Sequence, residues 1–325
     1  MNLRVDPGDG LTDVLRRLCR RVVTASRPRW QGIVVIPLTW FLRKIQPTSF
    51  ERALRIEYSF RRALGQPLSE RSWPRMTFND KITYRRLRLH DPLLHNFSDK
   101  LSMRDYVTGN LGVDCLPTLI EVSQSVSVFA QLEGPFVLKA NHGSGMVELV
   151  GAQRMLSQEQ QRNAESWLAR DYCWDGLEWG YFGARRLLLV EEFLSVQGGE
   201  HSPPDYKFFV FDGRVEMIQI DTARFEHHQR MLRRPDWSPI NGSLGRFEIP
   251  DANDAARPAN LGVMLEWAAQ LGNGVDFVRV DLYDTGERVL VGELTPYPGG
   301  GDERFIPRSL DAWLGKKWTQ GPSIR

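Results

Sequence analysis

The stretch VRVDLYDTGERVLVGELT, Val278 to Thr295, alternates apolar and polar residues on either side of a glycine-containing turn. A period of two marks half-buried strands, so the stretch predicts an antiparallel hairpin around DTGE. Arg279, Asp281 and Tyr283 share one parity on the first strand, and Glu293 and Thr295 share one on the second. A three-residue loop of Asp284, Thr285 and left-handed Gly286 would pair odd positions with odd and turn these side chains to one side. Two carboxylates, Asp281 and Glu293, on an otherwise apolar hairpin suit Mg2+, a hard cation that takes oxygen ligands and bridges phosphate oxygens. The pattern also fits a solvent-facing strand surface.

A second hairpin lies upstream in FVLKANHGSGMVELV, Phe136 to Val150. Backbone N–H groups in a Gly-rich turn can converge on an anion, and Lys139 at the root of HGSG supplies a compact positive charge. The spacing is neither Gx4GK[ST] nor GxGxxG opening a helix, so a helix-terminus phosphate site is excluded. Taken alone, the segment reads either as a phosphate cradle or as a plain turn beside a surface lysine. Downstream, RRLLLVEEFL predicts a buried strand ending in Glu191 and Glu192. DYKFFVFDGRVEMIQID predicts a hairpin turning at Asp212 and Gly213, with Asp205 and Lys207 at its start. Helices are expected from a Ser98 or Asp99 cap to Gly109 or Gly112, from the SQEQ capping box at Ser157 to about Arg170, and over Asn260 to Leu271. Residues 222–260 are polar, Pro-rich and predicted to be an irregular loop.

The chain has 325 residues, 42% of them hydrophobic and 25% charged. That is enough to bury a large core. Three cysteines without CxxC spacing argue against a disulfide framework or structural zinc and point to a reducing cytoplasm. Residues 1–62 hold 13 Lys and Arg against 5 Asp and Glu, while the remainder is net acidic. Helices broken at prolines are expected over residues 11–72, with Ser49–Leu64 the clearest. The apolar run Ile33–Leu42 is too short to span a bilayer; the basic segment around it fits either a helical cap packed on the main domain or peripheral contact with an anionic membrane surface. No zinc-finger or RNP-like motif suggests nucleic acid as a partner. An HRD loop, a DFG motif, a GxSxG elbow and a Cys/His pair are all missing, which excludes the protein-kinase signature and a covalent enzyme intermediate of those types.

In order along the chain, DKLSMRDYV, FVLKANHGSG, LLVEEFL, DYKFFVFDG, DFVRVDLY and GELTPYPGGG resemble the ATP-grasp superfamily and, within it, the TupA-like branch associated with surface polysaccharide biosynthesis. The resemblance runs from about Phe78 to Gly315 and includes FNDKITYRRL and HDPLL upstream. It implies an α+β fold in which two α+β subdomains, 98–194 and 195–325, sandwich ATP, preceded by an α-rich N-terminal region, 1–97. By position, Lys100 and Lys139 would contact phosphates, and His142, Gly143, Ser144 and Gly145 would form a loop closing over them. Glu191, Glu192, Phe193 and Leu194 would read the adenine and ribose, with Asp205 and Lys207 completing the nucleotide site. Asp281, Glu293 and Thr295 would hold Mg2+, although many members carry Asn where Thr295 stands. Arg279 and Lys207 would act on the transferred phosphoryl group.

The implied activity is ATP-dependent joining of a carboxylate, from an amino acid or uronic acid, to an amine of a glycan or peptide through an acyl phosphate. Phosphorylation of a hydroxyl by the same ATP cradle, or non-catalytic nucleotide binding at a membrane, are the alternatives. In TARFEHHQRMLRRPDW, Thr222 to Trp237, Arg224, His227, His228 and Arg230 are candidates for binding anionic substrate groups, and Trp237 for stacking on a sugar.

Overall fold

The computed structural model describes residues 73–195, 203–222, 229–245 and 256–321. Within them, Trp73–Cys173 and Glu178–Arg325 form one compact unit. The helices expected over residues 11–72 and the basic segment 1–62 lie outside the described residues.

Local sequence sets the helix ends. Helix α1 (Phe78–Arg88) starts with a capping box, in which the Thr77 side chain accepts from the Asp80 N–H and the Asp80 carboxylate accepts from the Thr77 N–H. After α2 (Pro92–Ser98), Asp99 caps α3 (Lys100–Leu111) by accepting from the Ser102 N–H, and Gly112, at φ 97°, ends it. The expected capping box at Ser157 and Gln160 opens α4 (Gln158–Ala169), and α5 spans Leu261–Leu271.

Two antiparallel sheets carry the architecture. The first contains β1 (Leu119–Ser123), β2 (Phe136–Ala140), β3 (Val147–Val150) and β4 (Leu188–Glu192) in the order β1-β4-β2-β3. Phe136, Leu138, Ala140, Leu188 and Val190 bury one face in a core with Ala164 and Trp167 of α4. By strand alternation, Lys139 and Glu191 stand on the other face.

The second sheet joins β5 (Asp205–Phe211), β6 (Arg214–Thr222), β7 (Gln229–Arg233), β9 (Val278–Asp284) and β10 (Val289–Thr295) in the order β10-β9-β5-β6-β7. A short β8 (Ser243–Leu244) pairs with β11 (Phe305–Ile306). One face of the large sheet, with Tyr206, Phe208, Ile218, Val280 and Leu282, packs on Leu261, Met264, Ala268 and Leu271 of α5. The opposite face is polar along Asp205, Lys207, Gln219, Asp221, Asp281 and Glu293.

The sheet departs from expectation at two places. The β9–β10 loop has four residues, Thr285–Arg288, closed by the Thr285 N–H to the Arg288 carbonyl, so near the turn Asp284 pairs with Val289 and Tyr283 with Leu290. A bulge between Val291 and Glu293 then shifts the register and restores odd-with-odd pairing, Asp281 with Glu293 and Arg279 with Thr295. Gly292 fills that bulge because the Tyr283 ring lies where a Cβ would stand, 2.5 Å from its Cε2. Residues 222–260 are also not wholly irregular. They contain β7, paired with β6 from Ile218 opposite Arg233 to Thr222 opposite Gln229.

The chain closes through α6 (Arg308–Lys317), which packs on α1. Lys81 donates to the Gly315 and Trp318 carbonyls at 2.7 and 2.6 Å, satisfying the helix end. Burial pushes its ammonium pKa down to about 8. Arg85 donates to the Phe277 and Pro296 carbonyls, pairs with Asp276 and lies over the Trp318 ring. No helix among the described residues is long and apolar enough to cross a membrane.

A Cβ at Gly315 would stand 2.7 Å from the Met76 carbonyl oxygen and the Phe78 nitrogen, both rigid backbone. Replacing a helical glycine by alanine favours an isolated helix by about 1 kcal/mol, yet overpacking here costs roughly 1–3 kcal/mol. Gly315→Ala is therefore expected to lower stability in chemical denaturation, the opposite of its effect on helix propensity.

Candidate functional site

The Gly-rich loop is held at its base by Asn141, a fully buried side chain. Its Oδ1 accepts from the Leu101 N–H, and its Nδ2 donates to Asp99 at 2.7 Å and to the Arg185 carbonyl at 2.9 Å. Asp99 also receives the Arg185 guanidinium at 2.6 Å. Burial by itself would raise the Asp99 pKa, but the hydrogen bonds from Arg185, Ser102 and Asn141 outweigh it and hold the carboxyl well below its ordinary range. This network fixes the start of α3 against the loop. Lys100, the first residue of α3, consequently reaches the Gly143 carbonyl at 2.6 Å.

His142 is buried and engages the Trp167 carbonyl through Nε2 at 2.9 Å. Burial pulls its pKa down, so the neutral ring is favoured. Gly143 is packed tightly, since a Cβ would meet Met146 Sδ at 2.7 Å and the Tyr172 ring at 3.1 Å. Gly145, at φ 71°, has open space around it, and Ser144 is exposed. The loop thus has a clamped base and an unencumbered tip.

On the same side, Lys139 and Glu191 are diagonal neighbours, because Val137 is the register partner of Glu191. They pair at 2.6 Å, and Arg104 of α3 meets the other Glu191 oxygen at 2.8 Å. Burial opposes the Glu191 charge, but Lys139 and Arg104 overcome it and hold the pKa below the usual glutamate value. Glu192 instead accepts from the Thr118 N–H and pairs with Arg288. Phe193 and Leu194 follow as half-buried residues beyond the strand end.

The polar face of the second sheet carries a row of charged side chains. Lys207 sits among three carboxylates, in contact with Asp205 and 3.5 Å from both Asp221 and Asp281. Arg279 grips Asp281 through two hydrogen bonds of 2.7 Å and donates to Thr295 Oγ1 at 3.1 Å. Such a two-point grip on a carboxylate fixes geometry as well as charge. Burial alone would lower the Arg279 pKa, yet Asp281 and Glu293 push it above its ordinary value. Arg230 donates to Asp221, to the Leu244 carbonyl and to Glu303.

Glu293 differs from these carboxylates: it makes no hydrogen bond or ion pair among the described residues. Its charge is felt by Lys100, whose pKa is lowered by burial and partly restored by Glu293. The α3 lysine and the β10 carboxylate therefore stand close enough for one to act on the other's charge. Hard oxygens from adjacent Asp281 and Glu293 fit Mg2+. No group of three or more His, Cys, Asp and Glu placed to hold a metal occurs among the described residues, so further ligands would come from phosphate or water.

Residues 80–319 match the family model described as TupA-like ATPgrasp. The chain belongs to the TupA-like ATP-grasp family. No curated protein matches it. Among solved structures, it is similar to the ATP-grasp ligase PsnB complexed with a phosphomimetic variant of minimal precursor, Mg and ADP (12% identity, 70% of this chain and 61% of that one, TM-score 0.38). N5-carboxyaminoimidazole synthetase from Staphylococcus aureus complexed with ADP matches at 11% identity over 70% of this chain and 53% of that one, TM-score 0.39. D-alanine–D-alanine ligase from Bacillus anthracis matches at 17% identity over 68% of this chain and 64% of that one, TM-score 0.36. The chain spans less than two thirds of the length of each of these three.

In this TupA-like ATP-grasp chain, Lys100, the Gly143 segment, Lys139 and Glu191 gather around the first sheet and α3, and Asp205, Lys207, Arg279, Asp281, Glu293 and Thr295 on the polar face of the second sheet. Of the expected substrate group, only Arg230 and Trp237 are among the described residues. Arg230 lies on the polar face opposite Asp221, whereas Trp237 packs near Tyr206 and Arg233 on the apolar face. Arg224, His227 and His228 lie outside the described residues. Asn141, Arg104 and Asp221 were not singled out in the sequence. Asn141 directly follows a strand and precedes a glycine turn, and Asp221 lies one residue before the end of a strand paired with the lysine-bearing β5, which are usable signals.

Glu191→Gln would leave two largely buried cations without their carboxylate and is expected to destabilise the fold by roughly 3–5 kcal/mol. Because the folded-state pKa of Glu191 lies below the ordinary value, its charge stabilises fully above that ordinary value. The contribution is lost as pH falls through the depressed one. Urea titrations across the acid range should show a shallower pH dependence for the variant than for the native chain.

Proposed function

We propose that this TupA-like ATP-grasp protein is an ATP-dependent carboxylate–amine ligase that joins an amino-acid or uronic-acid carboxylate to an amine in cell-surface polysaccharide or peptide biosynthesis. The observation that supports this most directly is Lys100, bonded to the Gly-rich loop and close enough to feel the charge of Glu293 beside Asp281. A phosphate chain needs cations and backbone donors on one side and a metal-binding carboxylate pair on the other.

In this reading, a carboxylate oxygen of the substrate attacks the γ-phosphorus of ATP and the bond to the departing ADP oxygen breaks. The amine nitrogen then attacks the acyl carbon, the C–O bond to phosphate breaks, and the nitrogen loses a proton. The protein contributes position and charge rather than a nucleophile. Lys100 and Lys139 face the phosphates, with Glu191 and Arg104 fixing where the Lys139 ammonium stands. His142 serves the loop through its anchor on Trp167. The residues Glu191 to Leu194 read the adenine and ribose. Arg279, oriented by Asp281 and Thr295, meets charge developing on the transferred group, and Lys207 lies next in the same row. Asp281 and Glu293 would hold Mg2+, which supplies charge neutralisation between phosphate oxygens. Thr295, whose hydroxyl engages Arg279, acts here through that arginine. Arg224, His227, His228 and Trp237 are proposed substrate contacts, while Arg230 is committed to Asp221 and Glu303.

A screen of amino acids and uronic acids, with hydroxylamine as surrogate amine, tests the reaction. ADP release that requires both an acid and an amine, with hydroxamate formed, is the expected result. A phosphoester product would instead identify a hydroxyl kinase, and the lack of any turnover would favour nucleotide binding alone. Glu293→Gln should lower Mg2+-dependent ATP turnover by about 100-fold or more while leaving the melting temperature nearly unchanged.

A further inference from the structure

Tyr181 belongs to none of the motifs so far assigned. It ends a short 3₁₀ turn, Trp179–Tyr181, whose main chain is pinned on both sides. The Gly180 N–H donates to the Tyr297 hydroxyl at 3.2 Å, and the Gly180 carbonyl faces His95 Nδ1 at 2.9 Å. A Cβ on Gly180 would collide with Ser98 Oγ and stand 2.7 Å from the Leu94 carbonyl oxygen. Only glycine lets the turn sit this deep against α2. The turn is therefore fixed, and so is the root of the Tyr181 side chain.

The phenol ring meets the edge of Tyr172 with centroids 4.8 Å apart, and Tyr172 is the ring that lies against Gly143 of the Gly-rich loop. From the second sheet, the charges that act on the Tyr181 hydroxyl are led by Glu293. Tyr181 is only 6% exposed, yet its hydroxyl makes no hydrogen bond among the described residues. The hydroxyl oxygen is not among the fully buried polar atoms that lack a partner, so the ring is packed while its donor stays open to an incoming group. The Gly-rich loop lies beyond Tyr172 on one side, and the charges of Glu293 and Glu178 act on the hydroxyl.

We propose that the Tyr181 hydroxyl donates a hydrogen bond to an oxygen of the terminal phosphoryl group of a bound nucleoside triphosphate. The inference rests on the ATP-binding reading above and adds a donor to it. Burial, followed by Glu293, raises the phenol pKa well above its ordinary value, so the group stays protonated and acts as a donor rather than a base.

Tyr181→Phe removes only the oxygen and keeps the ring against Tyr172, and no hydrogen bond among the described residues is lost with it. Calorimetric titration of native and Tyr181→Phe protein with ADP and with a non-hydrolysable ATP analogue, both with Mg2+, separates the outcomes. The expected result is an unchanged melting temperature, ADP affinity equal to native, and affinity for the analogue reduced about 10-fold, as for loss of one hydrogen bond to a charged group. Equal affinities of the two proteins for both ligands, or an equal loss for both ligands, would overturn the proposal while leaving the ATP reading intact. If the native chain binds neither ligand, the ATP reading itself falls and takes this inference with it.

Discussion

A carboxylate buried among strands is unstable unless cations meet it, and that constraint organises the polar face of the second sheet. Asp205, Asp221 and Asp281 come from three adjacent strands, and Lys207 stands between them at the centre of the row. Arg279 and Arg230 complete the compensation at either side. Each of these groups depends on its neighbour's position. Glu293 stands at the end of the row, and its charge acts on Lys100. Among these carboxylates Glu293 alone is not met by a side-chain cation within ion-pair distance among the described residues.

The first sheet solves a different problem with fewer groups. Glu191 is shared between Lys139 and Arg104, so one carboxylate fixes two cations and ties β2, β4 and α3 together. Asn141 does the equivalent for uncharged groups, joining the loop base, the α3 N-terminus and the segment before β4. Since both devices are buried, the lysines that line the cleft are placed by rigid elements. Only the loop tip at Ser144 and Gly145 is left free of packing.

Much of this was legible in the residues. The Ser157 capping box, the Asp99 cap and the Asp212–Gly213 turn are local signals that tertiary packing did not override. Both residues of that turn take positive φ, 50° at Asp212 and 74° at Gly213. The facing of Asp281 and Glu293 also follows from parity, although the reason differs. A four-residue loop would have broken the odd pairing, and the bulge at Gly292 restores it. Parity reasoning sees the sum of two register shifts and not each one. Strand β7 was hidden because QRMLR carries two arginines, and one of them, Arg230, is buried by a partner nine residues away. His142 illustrates the same limit. In sequence it belongs to the glycine turn, but the Trp167 carbonyl that holds it comes from a helix 25 residues further on.

Rigidity at the far end of the sheet explains why buried charge sits on α1, at Lys81 and Arg85. Arg85 binds carbonyls immediately before β9 and after β10, at Phe277 and Pro296, and so fixes the root of one strand and the exit of the other. Arg279 and Asp281 lie two and four residues beyond the first anchor, and Thr295 lies directly before the second. A shift of either strand by one residue would turn that strand's polar side chains toward the apolar core. The anchor therefore guards the register on which the site depends. It acts through backbone carbonyls, which cannot be removed by changing a side chain. The helix that carries Arg85 is in turn closed by Lys81 on the end of α6, so the final turn of the chain bears on the geometry of the cleft.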